Sequence, residues 1–177
     1  TAAGATAAGA TAAGATAAPP KELSYAACKG LGNLDAALLC ALAEHNPIAT
    51  TLDLSRNRGV VRLGHAVGRC LRTNSSLVHV LLRDSELGDG GMAALAEGML
   101  QNAASGVRVL DLASNGIGAQ GAERMAALLD PGSGCRLQKL DASGNTLGKE
   151  GARALATSLK SNTSLAALNL RENDLDV

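Results

Sequence analysis

Three stretches of this chain are nearly the same: LDLSRNRGV at 52–60, LDLASNGIG at 110–118 and LDASGNTLG at 140–148. Self-similarity at a period of 20–50 residues constrains a fold more than composition does, because every copy must adopt one local structure and pack against the next. The frame L-x-x-L-x-L-x-x-N-x-L fits at 77–87, 107–117, 137–147 and 165–175, with a weaker copy at 49–59. The starts at 49, 77, 107, 137 and 165 lie 28, 30, 30 and 28 apart. A degraded copy begins near Leu23-Ser24-Tyr25, with Cys28 in the asparagine slot.

The frame dictates one unit. Its L-x-L centre alternates with period two, as a half-buried strand does, so Leu110 and Leu112 face one way and Asp111 and Ala113 the other. The asparagine slot, held by Asn57, Asn115, Asn145 and Asn173, closes the strand, where a side-chain amide can bond turn backbone. Ser85 replaces it once, and its shorter hydroxyl is expected to hold that turn less well. Each unit then returns through a helix whose stripe repeats every four residues: Leu147, Gly151, Leu155, Leu159; Ile117, Gly121, Met125, Leu129; Leu87, Gly91, Leu95, Met99. In the first clear unit the stripe is Gly59, Leu63, Val67, Leu71, and Leu63 breaks the glycine pattern. The recurrent glycine is expected to let helix and strand approach closely, and 35–46 (DAALLCALAEHN) is expected to be the helix of the degraded unit. No unit buries both its strand leucines and its helix stripe alone. Stacking is required, with parallel strands about 4.8 Å apart on one side and wider helices on the other. The expected product is an α/β solenoid, a right-handed βα horseshoe with a concave sheet face.

LDLASNGIGAQGAERMAALL and LDASGNTLGKEGARALATSLKSNTSL resemble a leucine-rich repeat domain of the ribonuclease-inhibitor subtype over roughly 21–177. That subtype occurs in ribonuclease inhibitor, NOD-like receptors, tropomodulin-like proteins, the Ran GTPase-activating protein and several axonemal proteins. The resemblance implies protein binding through the concave face and its flanking loops, and it implies terminal caps. A worn N-terminal unit is present and a C-terminal cap is not found. The strand Leu168 to Leu170, and Leu175, would then be left without a covering repeat, so the chain is expected to continue beyond Val177.

The division expected is a low-complexity tail over 1–20 and a repeat array of about five units over 21–177. The tail is TAAGA three times, then TAA and two prolines. Its five-residue period builds no helical face, it lacks the regions of a signal peptide, and it is too weakly hydrophobic for a membrane span. A translated microsatellite explains it best, and the tail is expected to be disordered. The first Met is Met92, which suggests a fragment of a longer protein.

Composition narrows the partners. Lys plus Arg and Asp plus Glu balance at 16 each, so no global field draws the chain to nucleic acid or to acidic membranes. Tyr25 is the only aromatic, which argues against base stacking on single strands and leaves the core to aliphatics. Cys28, Cys40, Cys70 and Cys135 form no CxxC pair and no zinc pattern with His45, His65 or His79. They read as reduced thiols in a cytoplasmic protein, packed as small hydrophobes.

Catalytic motifs are not found. GxSxG and HExxH do not occur, Gly30-Leu31-Gly32 lacks a third glycine, and Gly144 to Lys149 lacks phosphate-loop spacing. The sequons at Asn74 and Asn162 fall at the same return loop of two repeats, and repeat grammar explains them. No metal or cofactor is expected.

The exposed strand positions are therefore the candidate surface. The slot between the strand leucines holds Asp53, Leu81, Asp111, Asp141 and Asn169. Two residues on come Ser55, Arg83, Ala113, Ser143 and Arg171, then Arg56, Asp84, Ser114, Gly144 and Glu172. The partner-binding residues expected are Asp53, Ser55, Arg56, His79, Arg83, Asp84, Asp111, Lys139, Asp141, Asn169, Arg171 and Glu172. Asp111 and Asp141, on adjacent strands, could raise one pKa and do acid–base work. The favoured reading is that aspartate suits this exposed slot, screened by water and by Lys139. Mixed charge favours a specific polar interface, and the scarcity of aromatics removes the usual strongest anchors.

The function expected is a non-enzymatic interaction module that binds a protein partner through the concave face. The alternative is a small-GTPase regulator resembling the Ran GTPase-activating protein. A decayed gene fragment is a third reading, raised by the microsatellite-like start, Ser85 and Leu63.

Overall fold

A computed structural model describes residues 21–27, 32–44, 46–58 and 62–175. Strand and helix alternate along the chain. The strands are β1 (Glu22–Ser24), β2 (Thr51–Asp53), β3 (His79–Leu81), β4 (Val109–Asp111), β5 (Lys139–Asp141) and β6 (Ala167–Asn169). The helices are α1 (Asn33–Glu44), α2 (Leu63–Leu71), α3 (Gly88–Leu100), α4 (Ala119–Leu129) and α5 (Gly148–Leu159), and a 3₁₀ turn occupies Pro131–Ser133. All six strands pair in parallel in chain order, β1 through β6. The result is the expected horseshoe-like α/β solenoid, with a strand on one side of each repeat and a helix on the other.

Register follows the leucine frame. Leu23, Leu52, Val80, Leu110, Leu140 and Leu168 stand side by side across the sheet. With Leu54, Leu82 and Leu112 they meet the helix stripes Leu63–Val67–Leu71, Met92–Leu95–Met99 and Ala122–Met125–Leu129 in one continuous core. Burial of each such side chain contributes about 1.5–3 kcal/mol. Leu168, Leu170 and Leu175 are only half-buried, whereas Leu110 and Leu112 are wholly enclosed. The TAAGA tail, Cys28, His45 and Gly59 lie outside the described residues.

Two asparagine ladders staple the repeats together. In the expected slot, Asn145 donates from Nδ2 to Leu112 O of the preceding repeat (3.0 Å) and to its own Ala142 O (2.9 Å). Its Oδ1 accepts from Asn115 N and Ile117 N at 3.0 Å each. Asn115 repeats this pattern one repeat earlier, donating to Leu82 O (2.8 Å) and accepting from Ser85 N (3.0 Å). Ser85 does less: its Oγ donates to Leu54 O at 3.2 Å, which reproduces only the donor half among the described residues. Asn57 and Asn173 keep their amide donations, and the Oδ1 of each is buried without a partner among the described residues.

The second ladder runs along the return loops. Asn74 donates to Ala43 O (2.9 Å), Asn102 to Leu71 O (2.7 Å) and Asn162 to Leu129 O (2.7 Å), each reaching the preceding repeat. The two sequon asparagines thus have structural duties, and a glycan on the buried Asn74 would break its bond to Ala43.

Glycines set the helix spacing. The stripe glycines meet mainly the neighbouring helix and their own leading turn rather than a strand. A Cβ on Gly151 would lie 2.8 Å from Ala122 Cβ, and one on Gly121 would lie 2.3 Å from Ile117 Cγ2. The tightest approach is between α2 and α3, where a Cβ on Gly98 would sit 1.9 Å from Gly68 O. Leu63 is accommodated, buried to 1 % exposure, because the neighbouring Gly64 takes over the close contact with Gly91.

Cys40 and Cys70 are buried free thiols in the core, and burial pushes each up to about 12. Thiols held so far from ionisation act as small hydrophobes.

Two stability outcomes are expected in urea titrations. Asn145→Ala strands two backbone amides and the Leu112 carbonyl, while Ala142 O keeps its bond from Asn173, and should cost roughly 2–4 kcal/mol, given 1–3 kcal/mol per buried unsatisfied group and partial relaxation. Gly98→Ala should cost about 1–3 kcal/mol by overpacking, whereas Gly90→Ala, where a Cβ meets nothing within 4 Å, should gain about 0.5–1 kcal/mol.

Candidate functional site: the concave face

Two rows of side chains flank the buried central row. One contains Thr51, His79, Val109, Lys139 and Ala167, the other Asp53, Leu81, Asp111, Asp141 and Asn169. The slot read from the repeat frame is therefore one in-register row across adjacent strands.

Carboxylates in this row have a local duty. Asp53 Oδ1 accepts from Ser55 N (2.9 Å), Asp111 Oδ1 from Ala113 N (3.0 Å) and Asp141 Oδ1 from Ser143 N (3.0 Å). Asn169 does the same for Arg171 N at 3.2 Å. Each is a turn in which a side-chain oxygen bonds the backbone two residues on. The turn feeds a left-handed residue at Arg56, Ser114 and Glu172, with φ of 60°, 56° and 56°, matching Gly144 at 64°; Asp84, which follows Leu81, has φ of 56° without such a turn. Such a backbone costs a non-glycine residue about 1–2 kcal/mol. Inter-repeat hydrogen bonds hold it there, from Arg56 N to Arg83 O (2.7 Å), Asp84 N to Ala113 O (2.8 Å) and Ser114 N to Ser143 O (2.8 Å). Gly144 was the one sequence signal for this conformation.

Arg83 organises the centre. Its Nε donates to Asp111 Oδ2 and an Nη to Asp141 Oδ2, both at 3.1 Å, so one guanidinium bridges the next two strands. Asn169 Nδ2 donates to the same Asp141 oxygen at 3.1 Å, and Ser143 Oγ to Asp141 Oδ1 at 2.6 Å. The counter-charge for this pair is thus Arg83, not Lys139, which is exposed. Partial burial tends to raise the Asp141 pKa, but Ser143, Asn169 and Arg83 outweigh it and hold the carboxyl below its usual range. With both oxygens occupied, Asp141 is set up as a fixed anion rather than a proton carrier.

The remaining expected residues divide. Thr51 Oγ1 and His79 Nδ1 are 3.2 Å apart across β2 and β3. Asp84 pairs with Arg58 on the turn side, a partnership absent from the sequence reading. Arg56, Lys139, Arg171 and Glu172 are exposed and form no ion pair among the described residues. No cluster of three or more His, Cys, Asp or Glu among the described residues could hold a metal ion. No described helix is long and apolar enough to cross a membrane.

The lowered Asp141 pKa contributes stability that is present above the unfolded carboxyl pKa of about 3.9 and is lost as pH falls through the folded value. Asp141→Asn should therefore be less stable than the parent at pH 7, with the two thermal-unfolding midpoints converging as pH is lowered below about 4. A gap that stays constant down to pH 3 would contradict this.

The "Leucine Rich repeat" family model matches residues 73–96, 107–126 and 135–156, three consecutive turn-to-helix segments of the array. No curated protein matches the chain. Among solved structures it is similar to leiomodin-1 actin-binding site 2, with a TM-score of 0.55 and 16 % identity, over 85 % of this chain and 70 % of that one. The parallel ladder, the register of the leucines and these matches agree: the chain has the fold of a leucine-rich-repeat solenoid.

Proposed function

We propose that this chain is a non-enzymatic protein-binding module whose concave face docks a folded protein partner. The observation that carries the reading is the in-register polar face from Asp53 to Arg171. Its central charges are already fixed by Arg83, and Arg56, Lys139, Arg171 and Glu172 remain exposed at its surface. A partner meeting this face finds dipoles and ions held in place by the solenoid, so little ordering entropy is lost on docking. The face carries both signs of charge, which favours register and selectivity over non-specific attraction. The face has no Trp, Phe or Tyr, so affinity would accumulate over many modest contacts rather than from a few aromatic anchors. Repeats of 28–30 residues with a full convex helix support placing the array in the ribonuclease-inhibitor-like subtype.

The test is affinity capture with the folded chain as bait beside Lys139→Glu/Arg171→Glu. Neither side chain has an internal ion-pair partner among the described residues, so the variant should keep its circular dichroism spectrum and melting point. A partner retained by the parent and weakened about tenfold or more by the variant is the expected result, since charge reversal opposes a complementary partner. Identical retention by both baits would overturn the concave-face assignment. A small GTPase among the lost partners would support the narrower GTPase-regulator reading. Purified actin is a separate arm, prompted by the leiomodin-1 segment's designation as an actin-binding site.

A further inference from the structure

The repeats differ most in their return loops. After Asn46, Asn74 and Asn162 the chain re-enters the next strand frame through residues 47–48, 75–76 and 163–164. After Asn102 the same step takes residues 103–106, and after Asp130 it takes 131–136. The two enlarged loops are adjacent in the array. Together with the short loop at 163–164 they bound a cavity of about 670 Å³ at the rim of the sheet. That volume lies within the roughly 300–1,000 Å³ range of ligand pockets.

Its chemistry is one-sided. Ser105, Arg108, Arg136, Thr163 and Ser164 line it, and no aspartate or glutamate does. Arg108 Nη is held by Val107 O at 3.0 Å and Ser105 O at 3.5 Å, which orients its guanidinium without neutralising it. Neither Arg108 nor Arg136 forms an ion pair among the described residues, whereas Arg58 and Arg83 both meet carboxylates. Two uncompensated guanidinium groups beside three hydroxyls supply directed donors and positive charge, the combination that recognises tetrahedral or planar oxyanions.

We propose that this rim cleft binds an oxyanion, a phosphate monoester or carboxylate, carried by a polypeptide segment. The polypeptide carrier follows from size and place. The cavity is roomier than one ionic group needs, and Arg108 leads directly into β4 at the border of the concave face. The site does not depend on the concave face being a docking surface, because it uses none of that face's residues.

The experiment is a titration of ¹⁵N-labelled protein with acetyl-Gly-Gly-phosphoserine-Gly-Gly-amide, followed by amide chemical shifts. Parallel titrations use the same peptide with glutamate or unmodified serine at the centre. Saturable shifts confined to the loops bearing Ser105, Arg136 and Thr163 are expected, with the serine peptide about tenfold or more weaker. Arg108→Gln/Arg136→Gln should abolish them, and Arg136→Gln alone, an exposed change, should weaken them with the fold intact. Arg124→Gln on α4 should leave them unchanged. A glutamate peptide binding as tightly as the phosphopeptide would support the site and identify a carboxylate as the natural anion. Equal response to the serine peptide, shifts scattered over the surface, or unchanged binding in the arginine variants would overturn the proposal.

Discussion

The bond from an asparagine amide to the carbonyl of the preceding repeat is the interaction on which the rest of this structure depends. A strand of three residues cannot organise itself, and a turn whose backbone groups are buried cannot leave them unpaired. Asn115 and Asn145 solve both problems at once, since each ties its own turn and the previous one to a common side chain. The second row, Asn74, Asn102 and Asn162, does the same at the opposite rim. Held at both edges, the leucine rows in between have only one register available to them.

That register decides what the concave face can present. Because the repeats are clamped, a side chain on one strand can be placed against side chains one and two strands away, as Arg83 is against Asp111 and Asp141. The same clamping stabilises left-handed backbone at Arg56, Asp84, Ser114 and Glu172, where isolated turns would favour glycine. Charged residues therefore occupy a conformation that brings the chain out of the sheet toward the convex side. The surface is built from backbone constraint first and charge second.

The enlarged loops show the complementary effect. Length can vary where the core is not interrupted, and the stretch between the return-loop asparagine position and the next strand is such a place. Both long insertions fall there, side by side, and bound the cleft at the rim of the sheet. Asp130 stands where the other repeats have asparagine, and it caps its own loop through Gly132 N at 2.8 Å instead of reaching back.

Much of this was legible in the sequence. The period, the L-x-L strand, the helix stripe and the asparagine slot all derive from local rules, in which two- and four-residue spacings define faces and a short amide closes a turn. They determined the solenoid, its parallel sheet and the row Asp53–Leu81–Asp111–Asp141–Asn169. The glycine contacts, the Arg83 bridge, the Arg58–Asp84 pair and the second asparagine ladder were not legible. Apart from the glycines' contacts with their own leading turns, each joins residues about one or two repeats apart, at distances set by side-chain reach and helix spacing rather than by sequence interval. The repeat frame alone assigns the strand and helix-stripe residues to their faces. Which of the charged residues on the concave face are engaged with one another, and which, such as Lys139 and Arg171, have no ion-pair partner among the described residues, follows from three-dimensional packing alone. Facing follows from local periodicity, while pairing depends on how closely neighbouring repeats pack.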